Sequence, residues 1–319
     1  MTSSTAAAPA AHVTGSRRRS LLRTVVIAAC LPYLCLKIAW IAGSRLGIPA
    51  GSPLLDHRMI MAVGNGLTVV MDAAVIVLAL MLTRPWGRRV PAWLLAVPMW
   101  VATGLLAPIM VGFPLQAVTG GSGGGHDDRP FLHPWVFDVV YGGFILQGLA
   151  LGALFAGYAR ERWGHLWQGR VRELPEPGAA AAQRMTAVTA ALLTLVPGVL
   201  RLLWACGVTA GRSTGGGRLM ELVFVGFLAA AVTGAWQLAF RRGGALAVLV
   251  PLALAWVGSG AAVCWGGWMS LAALVTSRSL GVRPAPATSL TYAVQMIVGF
   301  LVVSVAAHHF ADRSAKVPR

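Results

Sequence analysis

Long apolar runs alternate with short polar stretches along the whole chain. A bilayer-crossing helix needs about 20 mostly apolar residues. Eight runs approach or exceed that length, at residues 21–43, 62–82, 91–113, 136–158, 186–207, 219–240, 244–268 and 288–308. The pattern predicts an all-α polytopic membrane protein with eight transmembrane helices, arranged as two parallel four-helix repeats. The first repeat is expected over 21–158 and the second over 186–308. A disordered tail at 1–20, a linker at 159–185 and a tail at 309–319 are expected on the cytoplasmic side. The run after the N-terminal tail is too long for a cleaved leader, so it reads as a retained anchor.

Matched features in both halves carry the repeat. In span 1, Pro32 precedes Lys37 and Trp40; in span 5, Pro197 precedes Arg201 and Trp204. Arg88 and Arg89 stand as far before Pro98 as Arg241 and Arg242 stand before Pro251. Tyr141, Gly148, Glu161 and Arg162 recur at the same spacing as Tyr292, Gly299, Asp312 and Arg313. An even number of spans per unit inserts both halves the same way round, and such proteins tend to place a site between the halves.

Composition agrees with a membrane solvent: 57% of residues are hydrophobic and 11% are charged. The net charge of +16 does not point to nucleic acid, because the cations sit in short loops. With the N-terminus inside, 17 of the 26 Lys and Arg fall in cytoplasmic segments and 7 in outer loops. That asymmetry predicts a plasma-membrane protein with both termini in the cytoplasm.

Ionisable groups inside spans are costly and are functional suspects by default. Span direction places Lys37 and Arg201 in the outer halves of spans 1 and 5. Asp138 and Glu221 fall near the outer mouths of spans 4 and 6, and Asp72 falls near the middle of span 2. Asn65 lies seven residues from Asp72, on the same helical face. Tyr141 lies one turn below Asp138, and Tyr292 and Gln295 occupy the outer half of span 8. Two cations face three carboxyls, so pairing leaves one acid over. A carboxylate without a partner in a low dielectric takes up a proton, and Asp72, the deepest, is expected to be that neutral acid. The competing expectation is structural. Lys37 and Arg201 can snorkel outward, and Asp138 and Glu221 can serve helix N-termini.

Other residues are less specific. Trp86, Trp135, Trp163 and Trp268 fit an interfacial belt, whereas Trp40, Trp100, Trp204, Trp256 and Trp265 lie within spans. Cys30, Cys35, Cys206 and Cys264 read as buried small residues. A Gly-rich stretch at 120–134 carries His126, Asp127, Asp128 and His133, and Asp56 and His57 lie in another outer loop. This is expected to be a lid, with no metal. No phosphate loop, nucleophile elbow, zinc-protease or haem motif is present.

The stretch Leu31-Pro32-Tyr33-Leu34-Cys35-Leu36-Lys37-Ile38-Ala39-Trp40, followed by Gly43 and Gly47, resembles the first span of an actinobacterial group of eight-span proteins. Some of that group resemble the integral-membrane terpene cyclases acting on prenylated indole diketopiperazines in drimentine-type pathways. The resemblance implies a cofactor-free cyclase that protonates an alkene or epoxide of a farnesyl-type chain on a lipid-like, prenylated small molecule. Asp72 would then be the acid. Trp40, Trp204 and Tyr141 would form a cation-stabilising wall, and Asp138 or Glu221 would reprotonate the acid or accept the last proton. Lys37, Asn65, Arg201, Tyr292 and Gln295 would be the polar residues holding substrate. A small-molecule transporter with a proton-coupling acid, and a structural or signalling membrane protein, remain the alternatives.

Overall fold

The computed structural model describes residues 8–52, 55, 58–119, 132–174, 180–212, 217–280 and 283–315. The protein is all-α and polytopic. Among the described residues, eight helices are long and apolar enough to cross a bilayer. They are α1 (Ala8–Ile41), α2 (Arg58–Thr83), α3 (Ala92–Val118), α4 (Pro134–Trp163), α5 (Ala180–Ala205), α6 (Arg218–Phe240), α7 (Leu249–Leu280) and α8 (Pro286–Ala315). The outer-loop residues Asp56, His57, His126, Asp127 and Asp128 lie outside the described residues.

Several boundaries differ from the apolar runs: α5 begins at Ala180, inside the expected linker, α8 runs to Ala315, inside the expected tail, and α1 and α7 depart furthest. α1 begins at Ala8, inside the segment expected as an irregular tail. The alanines at 8, 10 and 11 are strong helix formers, so the helix extends back beyond the apolar stretch. α7 runs from Leu249 to Leu280, whereas the apolar run covers 244–268. Arg241 and Gly244 both adopt positive φ (53° each), which keeps helix from starting at 244. At its other end the helix continues through Ser270 to Arg278, where Thr276 Oγ1 donates back to the Ala272 carbonyl at 2.8 Å. Hydropathy marks where lipid-facing character fades, and backbone hydrogen bonding does not stop there.

The chain divides into two compact units. The first holds residues 1–99 and 122–159, the second 100–121 and 160–319. In the first unit, α1 packs on α2, and a Cβ on Gly143 of α4 would stand 3.0 Å from the Ala29 carbonyl of α1. The Tyr158 hydroxyl donates to the Gly87 carbonyl at 3.1 Å, which ties the end of α4 to the turn after α2. In the second unit, α5 to α8 pack on one another, around a core including Ala187, Leu228, Ala231, Leu252, Ala255, Val298 and Val302. Gly258 of α7 lets the backbone of α6 approach closely, since a Cβ there would meet the Ala231 nitrogen at 2.5 Å. Small residues of this kind let membrane helices pack tightly where lipid supplies no hydrophobic drive.

α1 and α5 end alike. Each carries Leu, a cation, Trp, Gly and Gly at the same spacing: Leu36, Lys37, Trp40, Gly43, Gly47, and Leu200, Arg201, Trp204, Gly207, Gly211. Gly43 and Gly207 sit at φ 94° and 99°, and Gly47 and Gly211 at 74° and 70°. The Trp40 indole N–H donates to the carbonyl of Leu46 at 2.7 Å, and that of Trp204 to the carbonyl of Ala210 at 3.3 Å, six residues on in both. The Gly47 carbonyl accepts from the His133 backbone N–H at 3.0 Å, beside the start of α4. The Gly211 carbonyl accepts from Thr288 Oγ1 at 3.1 Å, at the start of α8. The duplication read in the sequence therefore includes the hydrogen bonds that turn the chain out of each helix.

Candidate functional site

In the first unit, Cys30, Tyr33, Lys37 and Trp40 recur at steps of three and four, which puts them on one stripe of α1. Cys30 and Trp40 are buried, and Tyr33 and Lys37 are half-buried. The Lys37 ammonium lies 4.9 Å from the centre of the Tyr33 ring and 4.8 Å from that of Trp40. Its Nζ donates to Asn65 Oδ1 of α2 at 2.9 Å. Lys37 thus takes an amide and two aromatic faces as partners. Among the described residues it makes no carboxylate ion pair.

Asp72 stands two turns along the same face of α2 from Asn65 and is 4% exposed. Among the described residues its hydrogen bond comes from α4, where Gln147 Nε2 donates to Oδ1 at 3.4 Å. Asp72 Oδ2 and Gln147 Oε1 are both buried and have no hydrogen-bond partner among the described residues. Each such orphan costs about 1–3 kcal/mol. Both are acceptors when the carboxyl is ionised. A proton on Oδ2 would turn that orphan acceptor into a donor, and Gln147 Oε1 is an acceptor left free on the residue already bonded to Oδ1.

Aromatic side chains of α1 and α4 pack on one another within the same unit. Tyr33 and Phe144 meet edge to face at 4.9 Å between centroids. Tyr141 is 6.5 Å from Phe144 and 6.0 Å from Phe137. Tyr33 and Cys30 lie near Asp72, and so does Lys37, beyond ion-pair distance.

The second unit answers the duplicated position differently. Arg201 is 3% exposed, and its Nη1 pairs with Glu221 Oε2 of α6 at 2.5 Å. Its Nη2 donates to Gln295 Oε1 of α8 at 2.7 Å, and its Cζ lies 4.4 Å from the Phe224 ring centre. Gln295 is oriented by donating Nε2 to the Ala262 carbonyl at 3.1 Å. Arg212, in the turn before α6, brings Nη2 to 3.5 Å from Glu221 Oε1. Tyr292 lies in the field of all three charged groups.

These contacts sort the residues expected to form a site. Lys37, Trp40, Asn65, Asp72 and Tyr141 gather in the first unit. Arg201, Trp204, Glu221, Tyr292 and Gln295 gather in the second. Asp138 joins neither set. It lies exposed in the early turns of α4, and at about 100° per residue, nine residues put it on the face opposite Gln147. It therefore does not contribute the carboxyl that the charge count assigned to the group. Sequence reasoning left Gln147, Tyr33, Phe144 and Arg212 out of the site. An amide in the middle of an apolar span was the available signal for Gln147, and spacing from Lys37 was the signal for Tyr33. Nothing in the order of residues marked Arg212. Among the described residues, no group of three or more His, Cys, Asp or Glu side chains is placed to hold a metal ion. Compared with known proteins, the chain matches no family model, no curated protein and no solved structure.

Proposed function

We propose that this protein is an integral-membrane terpene cyclase in which Asp72 protonates a farnesyl-type chain on a prenylated small molecule. The observation that carries this reading is the Asp72–Gln147 pair: a buried carboxyl that, among the described residues, makes no ion pair and leaves one oxygen without a hydrogen-bond partner. A buried neutral carboxyl of this kind is a competent proton donor. Transfer forms a C–H bond at one alkene carbon and leaves a cation at the other. Tyr33, Tyr141 and Phe144 present π-faces that favour such a cation. Ring closure follows, and loss of a proton from a neighbouring carbon ends the sequence. Asp72, ionised by its first transfer, is the nearest carboxylate to take that proton back.

Lys37 and Asn65 stand two turns away and offer hydrogen-bond donors to a polar group on the substrate. Neither a cofactor nor a metal enters this reading. The bias of Lys and Arg among the loops supports a plasma-membrane location with cytoplasmic termini.

The test uses membranes from a heterologous host expressing the chain, incubated with a farnesylated indole substrate and analysed by mass spectrometry and NMR. Ring closure by the wild-type protein and its loss in Asp72→Asn is the expected result. Cyclisation by Asp72→Asn at the wild-type rate would show that another group donates the proton. Proton-coupled solute uptake into proteoliposomes, abolished in Asp72→Asn and without any cyclised product, would instead favour a transporter.

A further inference from the structure

The Arg201 cluster carries a charge imbalance that the proton-transfer reading does not use. Residues 160–319 contain five carboxylate side chains, at Glu161, Glu173, Glu176, Glu221 and Asp312. Among the described residues, Glu161, Glu173 and Asp312 belong to the end of the unit where α4 and α8 finish and α5 begins. Of the unit's described carboxylates, Glu221 is the one at the end where α5 finishes and α6 and α8 begin. There it serves two guanidiniums, one oxygen facing Arg201 and the other facing Arg212. Arg218, at the first position of α6, adds a third cation beside Gly207.

Glu221 does not satisfy these cations. Arg201 Nε is buried without a hydrogen-bond partner among the described residues, and so is Arg212 Nη2, which approaches Glu221 without hydrogen-bonding geometry. Arg201 is nine-tenths buried and more. Arg201 is out of reach of bulk water, whereas Arg212 is partly exposed and Arg218 exposed, so the cluster joins a buried guanidinium to cations an ion can approach, and a counter-ion is favoured there. Guanidiniums pair best with the spread, planar or tetrahedral oxygens of carboxylates and phosphates.

We infer that the second unit holds an oxyanion site at this end, in which Arg212 and Arg201 take a phosphate group and Glu221 is the internal competitor for the same donors. The phosphate comes either from free inorganic phosphate or from a phospholipid headgroup. This site stands independently of the role given to Asp72.

The test is thermal unfolding of the full-length protein in uncharged detergent, titrated with inorganic phosphate against chloride at matched ionic strength. Ligand that binds only the folded state raises the midpoint in a saturable way. Phosphate is expected to do so and chloride is not. Arg212→Gln is expected to weaken the apparent phosphate affinity by about tenfold or more, the loss of one charge-assisted contact. Glu221→Gln removes the competitor and is expected to tighten it, whereas a purely structural Arg–Glu–Arg triad loses stability with no gain in phosphate response. If Arg212→Gln does not fold, Arg212→Lys serves, keeping the charge and losing the fork. Saturation by phosphatidylglycerol-doped micelles but not by free phosphate assigns the site to a lipid headgroup. Identical responses to phosphate, phosphatidylglycerol and chloride in both the wild type and Glu221→Gln would overturn the inference.

Discussion

Replacing Asp72 by Asn and by Leu separates two states of the carboxyl. In the proposed acid–amide pair, a protonated Asp72 would donate to Gln147 Oε1 while its other oxygen accepts from Gln147 Nε2. Asn has the same shape, an N–H in place of the O–H, and the same acceptor. Asp72→Asn therefore keeps both hydrogen bonds, and its stability is expected to stay within about 0.5 kcal/mol of wild type. Leu fills similar space but offers Gln147 nothing, leaving a buried amide donor and acceptor both unpaired. At about 1–3 kcal/mol for each, Asp72→Leu is expected to lose roughly 2–6 kcal/mol. For a chain of this size that is a fall of several degrees or more in midpoint. The assay is thermal unfolding in detergent, with cyclisation measured on the same preparations. Both variants lose activity, and only Asp72→Leu loses stability. If Asp72 is instead an ion held by the field of Lys37, Asp72→Asn removes that attraction and destabilises by more than 1 kcal/mol. That outcome would refute the reasoning.

The other predictions concern the duplicated positions. Glu221→Leu leaves the Arg201 guanidinium buried without its counter-charge and is expected to cost about 3–5 kcal/mol; adding Arg201→Met is expected to restore much of that loss, measured as a double-mutant cycle in thermal unfolding. Trp40→Phe removes the 2.7 Å bond to the Leu46 carbonyl and is expected to cost about 0.5–1.5 kcal/mol beyond its lost packing. Trp204→Phe, whose bond is longer at 3.3 Å, is expected to cost less by the same measurement. Gly47→Ala is expected to lower the midpoint more than Gly51→Ala. Both have positive φ, but a Cβ on Gly47 meets Val136 at 2.5 Å while that on Gly51 meets nothing within 4 Å.

The spans and the duplication were legible because each leaves a one-dimensional mark: apolar length, and a cation three residues before a tryptophan. Charge counting predicted that a buried cation would meet a carboxylate, without saying that Arg201 would take Glu221. Counting failed for Lys37, where an amide and two rings stand in for the carboxylate, a substitution that only a neighbouring helix decides. It failed for Asp138 because depth along a span says nothing of which face points inward. That face was readable only relative to Gln147, whose importance comes from its contact with α2. Arg212 reaches Glu221 from a turn, and no helical period describes a turn. The seventh helix overran its apolar run because hydropathy reports on the surroundings of side chains and not on backbone bonding.

The most direct measurement is infrared difference spectroscopy of the Asp72 carboxyl in the purified membrane protein at neutral pH, comparing wild type with Asp72→Asn. The account predicts a protonated-acid C=O stretch in the wild type that is absent from the variant and moves on exchange into D2O. A difference spectrum showing only carboxylate bands lost on substitution would mean that Asp72 holds no proton to give.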